Sequence, residues 1–317
     1  MSIQPGIAFI TATWAGDLEH FRVMRCSFER SQLAGFAHYV IVQDEDLPMF
    51  EEFRGRPGLT LLSTREVLPE VIERRRVRAR KLSERFGRDF TRICGSLKRM
   101  FSWPLWPSYT GWHTQQLCKL KLASELDFDK AVILDSDVVV TPFATIEDFL
   151  GISGVVCFTD WRKRTDLAGK VKNWVLESER LVDASNRVDP VNAYFDTPFV
   201  FDHSMLCSAL ASLEAKTNKA WWSALLDRPP RRWSEFGFYK AYLTHKVPQE
   251  TIDWREPSWS RYIYDTSDPQ RVINTVHEMI TDSDIHYITI HSQASGRENW
   301  NPNAYLAPLL ALLIEGH

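Results

Sequence analysis

The sequence predicts an α/β fold: a mostly parallel sheet with helices on both faces, interrupted by one basic helical insert. Short β-rich apolar runs recur along the chain, helical patterns fill the intervals between them, and the composition is that of an ordinary globular protein. With 317 residues, 44% hydrophobic, 25% charged and a formal net charge of −3, disorder, collagen and coiled coil are excluded. The length suits one large catalytic unit over 1–317.

The first run, IAFITAT (7–13), reads as a buried strand, and Asp17 heads a helical pattern over 17–31. Strands are expected at 38–43 (HYVIVQ), 59–63 (LTLLS), 131–137 (AVILDSD), 154–160 (GVVCFTD), 197–202 (TPFVFD) and 285–292 (IHYITIHS). Helices are expected over 113–126, 203–217 and 234–245, the last opened by Ser234. Strand–helix alternation builds parallel sheets, which bind ligands just outside the carboxyl ends of their strands. The charged stretch 161–192, closed by Asp189 and Pro190, predicts a linker or lid.

Charge is unevenly spread. Between Arg74 and Arg99 eleven basic residues face two acidic ones, a local +9 that leaves −12 for the rest of the chain. This helical insert, 65–110, runs into Met100, Phe101, Trp103, Leu105 and Trp106. Cationic residues beside interfacial aromatics suit an anionic membrane surface, met through residues 74–106. A polyanionic glycan or a solvated arm are the alternatives, and with no recognition motif present nucleic acid is not expected. No apolar run approaches the roughly 20 residues that span a bilayer, and AYLAPLLALLI carries Pro308. The N-terminus lacks a basic region before an apolar core, and Cys26, Cys94, Cys118, Cys157 and Cys207 lack metal-site spacing. A cytoplasmic protein is expected, the inner membrane face being the surface its insert would meet.

The chemistry centres on Asp135 and Asp137. Residues i and i+2 of an extended segment share a side, so both carboxylates are expected to reach one site while Ser136 faces away. Two hard oxygen anions so placed suit Mg²⁺ or Mn²⁺ that also takes phosphate oxygens; on spacing alone, loop-capping aspartates are an equal reading.

An apolar strand ending in D-x-D after a complete nucleotide-binding half resembles the metal and sugar-nucleotide motif of GT-A glycosyltransferases. IAFITAT and VIVQDED, with Asp44 past the second strand, resemble the elements that hold base and ribose in that family. GWHTQQLCKLKLAS, WSEFGFYKAY and the late HSQ resemble a bacterial GT-A-like group of unknown function. The resemblance implies a GT-A (Rossmann-like) fold, with Mn²⁺ or Mg²⁺ held by Asp135, Asp137 and His291. It places Thr11, Thr13, Asp44, Gln116, Lys119, Ser136 and Arg297 at a nucleotide-sugar donor, a UDP-sugar first. Tyr239 and Asp196 would meet a glycan or lipid-linked acceptor, and Glu235 would be the base of an inverting transfer. Read by itself, Glu235 at a helix start predicts only capping, and Lys119 predicts a solvated helix face, a diphosphate contact or a group orienting an aspartate. Twelve tryptophans support a carbohydrate partner weakly.

Two rivals remain. ILDSDVVV also resembles the first motif of haloacid-dehalogenase-type phosphatases, although Asp282 and Asp284 precede a strand where that family needs an acidic pair after one. A non-catalytic scaffold that binds nucleotide sugars or membrane is the other.

Overall fold

The computed structural model describes residues 6–101, 111–151, 154–229, 231–291 and 301–315. Its strands are β1 (Ile7–Thr13), β2 (Ala37–Val42), β3 (Leu59–Ser63), β4 (Lys130–Ile133), β5 (Val138–Val140), β6 (Val155–Phe158), β7 (Trp161–Arg162), β8 (Val191–Asn192), β9 (Phe199–Asp202), β10 (Ile252–Arg255), β11 (Ser260–Ile263) and β12 (Tyr287–Ile290). The helices are α1 (Leu18–Glu29), α2 (Thr64–Val67), α3 (Glu70–Phe101), α4 (Gly111–Glu125), α5 (Gly169–Leu181), α6 (His203–Thr217), α7 (Trp221–Leu226), α8 (Glu235–Lys246), α9 (Pro269–Ile280) and α10 (Asn303–Glu315).

The main sheet has the order β3-β2-β1-β4-β9, parallel except for β9. All seven residues of β1 are buried, as expected for a central strand flanked by parallel neighbours. Helix α1 lies against this sheet through Phe28, whose ring meets Phe9 edge-on at 5.1 Å. On the same side His38, fully buried, bonds Thr11 Oγ1 at 2.9 Å and Arg25 Nη1 at 3.0 Å. Helices α4, α6 and α8 pack together as a second group, and α4 also touches β1, so both faces are covered.

Two expectations need correcting. The run 131–137 is not one strand: β4 stops at Ile133, and the chain leaves the sheet to begin β5 in a separate sheet of order β11-β12-β5. The sheet is therefore divided, with β6 and β10 forming a further parallel pair. The stretch 161–192 is not a linker, since it folds as β7, α5 and β8, with Val175 and Leu181 buried beneath α5. The C-terminal apolar run forms α10, whose buried Tyr305, Leu306 and Leu309 pack beside α1 and α9. Among the described residues no helix is long and apolar enough to cross a membrane.

The basic insert is helical, as its composition predicts. Ser63 and Glu66 form a capping box at α2: Glu66 N–H donates to Ser63 Oγ at 3.3 Å, and Ser63 N–H to Glu66 Oε2 at 2.7 Å. Helix α3 breaks at Gly87, whose φ of 82° glycine adopts without a Cβ penalty. Its root is pinned by Arg76, which donates to Glu73 and Glu45 at 2.6 Å, and by Arg80, which donates to Asp46 at 2.9 Å. The segment 102–110, with Trp103, Leu105 and Trp106, lies outside the described residues.

Candidate active site

Strand directions alone bring four chain segments together. Parallel β1, β2 and β4 end at one sheet edge, where Ile10 pairs with Ile133. Antiparallel β9 begins where β4 ends, Ile133 opposite Phe199, so the residues before β9, Asp196 and Thr197, arrive beside Asp135. Antiparallel β12 ends where β5 begins, Thr289 opposite Val138, so His291 arrives beside Asp137. Two bonds close the junction: Asp135 N–H donates to Thr197 Oγ1 at 3.4 Å and Ile290 N–H to Asp137 O at 2.9 Å.

This junction is a turn, with Val138 N–H donating to Asp135 O at 3.2 Å, and it corrects the extended alternation expected for Asp135, Ser136 and Asp137. The reason is topological, because the chain must change sheets between Ile133 and Val138. Ser136 is buried, while Asp135 and Asp137 stay partly exposed.

Helix α4 contributes Lys119, which is 4% exposed. A solvated helix face is therefore wrong for this position. Its ammonium donates to Asp135 Oδ1 at 2.7 Å and to Glu235 Oε1 at 3.3 Å. Burial works against its charge, but the carboxylates of Asp135 and Glu235 outweigh that and raise its pKa. Glu235, in the first turn of α8, is buried as well, and Ser234 Oγ donates to its Oε2 at 3.2 Å. Burial pushes the Glu235 carboxyl upward against the opposing pull of Lys119. Both of its oxygens are engaged inside the protein.

The donor set suits a cation that a ligand completes. Mg²⁺-type ions bind one or two carboxylates plus substrate phosphates instead of all-protein cages, and among the described residues no three His, Cys, Asp or Glu side chains form such a cage. Asp135 and Asp137 supply oxygens. His291 Nε2 is buried without a hydrogen-bond partner, 3.9 Å from Asp196 Oδ1. Tyr264 stacks on the His291 ring at 4.4 Å and Tyr262 lies 6.1 Å away, walling it on one side. His286, the other histidine of this strand region, is engaged by Asp148 Oδ1 at 2.8 Å.

The remaining candidates divide. Thr13, at the carboxyl end of β1, has a buried hydroxyl without a partner. Gln116, one turn before Lys119, is 1% exposed with neither amide atom hydrogen-bonded. Asp44 opens the loop after β2, its N–H donating to Thr64 Oγ1 at 3.2 Å. Thr11 does not line the site: it is fully buried, its hydroxyl donating to Leu134 O at 2.8 Å. Tyr239 likewise faces the core, its hydroxyl accepting from Asp202 N–H at 3.1 Å, because α8 is buried all round over residues 235–241. Arg297 lies outside the described residues.

Sequence reasoning missed an aromatic wall. Trp112 and Trp174 stack with centroids 5.7 Å apart and planes 13° apart, and both are half-buried. Trp174 also meets Phe195 at 5.0 Å and carries Lys170 Nζ 5.2 Å above its ring. Since Phe195 adjoins Asp196 in the chain, this wall stands beside the junction. Burial raises the Asp196 pKa, partly offset by His291 and Lys170. Behind Phe195, α5 and α8 enclose a cavity of about 40 Å³ lined by Ser178, Glu179 and Lys240 among others. Lys240 is fully buried, its ammonium donating to Asn192 O at 3.1 Å and to Tyr194 O, and burial pulls its pKa down to about 7. No spacing in the sequence flags Trp174, because its partner Trp112 comes from a distant helix.

No curated protein is detectably similar in sequence. Among solved structures, the chain is similar to the WbbM bifunctional glycosyltransferase, at 11% identity over 99% of this chain and a TM-score of 0.47. It spans about half of that protein, 52%. It is also similar to mouse xyloside xylosyltransferase 1, at 8% identity over 92% of this chain and 99% of that one, TM-score 0.46. The galactosyltransferase LgtC, solved with donor and acceptor sugar analogs, is similar at 9% identity over 96% and 95% of the two chains, TM-score 0.44. The profile of a family of unknown function, DUF6492, matches residues 8–292, and the chain belongs to that family.

Proposed function

We propose that this chain is a GT-A-type glycosyltransferase, moving a sugar from a nucleotide-sugar donor to a glycan or lipid-linked acceptor. The observation that carries the reading is the junction of four strand ends, where Lys119 holds Asp135 beside Asp137, Asp196 and His291 at the carboxyl edge of a parallel sheet.

Asp135, Asp137 and His291 would hold Mn²⁺ or Mg²⁺ together with the donor diphosphate. When bound, the ion supplies Lewis-acid stabilisation of the departing diphosphate, worth several kcal/mol in such sites. Thr13 and Gln116 present buried polar atoms that gain hydrogen bonds when a nucleotide enters. Asp44 stands at the ribose side. The acceptor lies against Trp112 and Trp174, whose faces suit a sugar ring. Asp196, partly open beside that wall, takes the proton from the attacking hydroxyl as the new glycosidic bond forms and the bond to the diphosphate breaks. Glu235, expected as the base, is a positioning residue in this reading, acting through Lys119.

The test is a thermal-shift panel of UDP-, GDP-, CMP- and dTDP-sugars on the full chain with and without Mn²⁺, paired with assay of nucleoside diphosphate release. One donor class should raise Tm only with the metal, and Asp137→Ala should abolish both the shift and the slow release. Absence of any shift across the panel would overturn the reading.

A further inference from the structure

Helix α3 sorts its basic residues by face. On a helical wheel Ile72, Arg76, Ala79 and Arg80 fall on one side, and all but the half-buried Arg80 are buried; Arg76 and Arg80 are ion-paired to the loop after β2. Arg74, Arg75, Arg78, Lys81 and Arg85 fall on the other and are exposed. Arg74, Arg78, Lys81 and Arg85 follow each other at intervals of four, three and four residues, one continuous row along the helix. Glu70 bonds Arg74 from the same face at 2.6 Å. Val71, Arg74, Arg75 and Arg78 border a shallow groove of about 330 Å³.

Apolar groups flank the charge. Val71 is 42% exposed, Phe86 54% and Ile93 58%, and Phe86 stands 5.1 Å from Phe90 with Arg85 above its ring. Salt-bridged solvated arms have no use for such residues, and a polyanion needs only the cations. Large apolar side chains beside a cationic row match the boundary of a bilayer, where the rings enter the acyl region and the bases meet lipid phosphates. We propose that the outer face of α3 docks the protein on an anionic membrane surface. This goes beyond the catalytic reading and does not rest on it, since the docking face carries none of the residues placed in the active site.

The experiment is co-sedimentation of the full chain with vesicles of phosphatidylcholine alone or mixed two to one with phosphatidylglycerol. The protein should pellet with the mixed vesicles and stay in solution with the neutral ones. Combining Arg74→Glu, Arg75→Glu and Arg78→Glu should weaken binding at least about tenfold, because each basic residue near such a surface contributes roughly fivefold. Lys219→Glu, a charge reversal at an exposed position elsewhere, should have no comparable effect. Phe86→Ser should weaken vesicle binding while leaving retention on heparin unchanged. Three results would overturn the proposal: no pelleting with anionic vesicles, wild-type binding by the triple variant with its fold verified by circular dichroism, or indifference of vesicle binding to Phe86→Ser.

Discussion

Lys119 and Glu235, 116 residues apart in the chain, share a buried hydrogen bond of 3.3 Å. Breaking a buried ion pair from one side leaves the other charge uncompensated, at about 3–5 kcal/mol. Lys119→Met should therefore lower the urea midpoint markedly at neutral pH. Burial already raises the Glu235 pKa in the folded state. A raised acid contributes stability that is complete below its unfolded pKa and is lost as pH rises through its folded value. The deficit of Lys119→Met should accordingly shrink on acidification toward the ordinary glutamate range, the reverse of common acid denaturation. An unchanged deficit would show that Glu235 does not carry the effect.

Gln116 separates structure from function. A buried amide lacking partners costs about 1–3 kcal/mol, and an apolar replacement of similar shape removes that cost. Gln116→Leu should leave Tm equal or higher while weakening the metal-dependent nucleotide shift about tenfold. If both Tm and nucleotide affinity are retained, the amide plays no part in donor binding.

At the aromatic wall proposed to meet the acceptor, Trp174→Ala removes one ring of the stack. An aromatic contact of this type is worth about 0.5–1.5 kcal/mol beyond area burial. Acceptor KM should rise several-fold with donor KM unchanged. Asp196→Asn should instead abolish transfer while the donor still binds, a split read by comparing calorimetric donor affinity with kcat.

Gly237 sits where α8 packs against Ser178 of α5. A Cβ there would lie 2.5 Å from Ser178 Oγ and 3.0 Å from Phe195 Cε1. Gly237→Ala should cost about 1–3 kcal/mol by overpacking. Ser178 Oγ is buried without a partner, so Ser178→Ala alone should be neutral or stabilising and should recover part of the Gly237→Ala loss. Additive chemical-denaturation energies in the double variant would refute the contact.

Lys240 gives a pH signature outside the active site. Its folded pKa of about 7 lies below the value for an unfolded lysine. The unfolded chain therefore binds more protons between those two values, and stability from this group rises with pH across that window. Lys240→Met should flatten the rise of the urea midpoint between about pH 7 and pH 10, by an amount on the order of a few kcal/mol.

Local signals carried the main strands and helices. IAFITAT, HYVIV and LTLLS sit where their apolar runs place them, and the D-x-D lies at a strand end as expected. Alternation could not show that β9 runs antiparallel to β4 and β12 antiparallel to β5, which is what gathers Asp196 and His291 to the junction. Nor could it foresee that β4 and β5 belong to different sheets, because both halves of AVILDSDVVV are equally apolar. Thr11 and Tyr239 were misread for a similar reason: polarity marks a capacity to bond, and their partners, Leu134 O and Asp202 N–H, lie far off in the chain. Lys119 was open between three roles until tertiary packing supplied both of its carboxylates.

The pairing of β5 with β12 has a temporal consequence. Tyr287 must reach Val140 before His291 can stand beside Asp137, so one wall of the cleft is absent until the ribosome has delivered β12, about 150 residues after β5. A nascent chain released from the tunnel only as far as α8 would contain both aspartates, yet lack the strand that sets His291 beside Asp137.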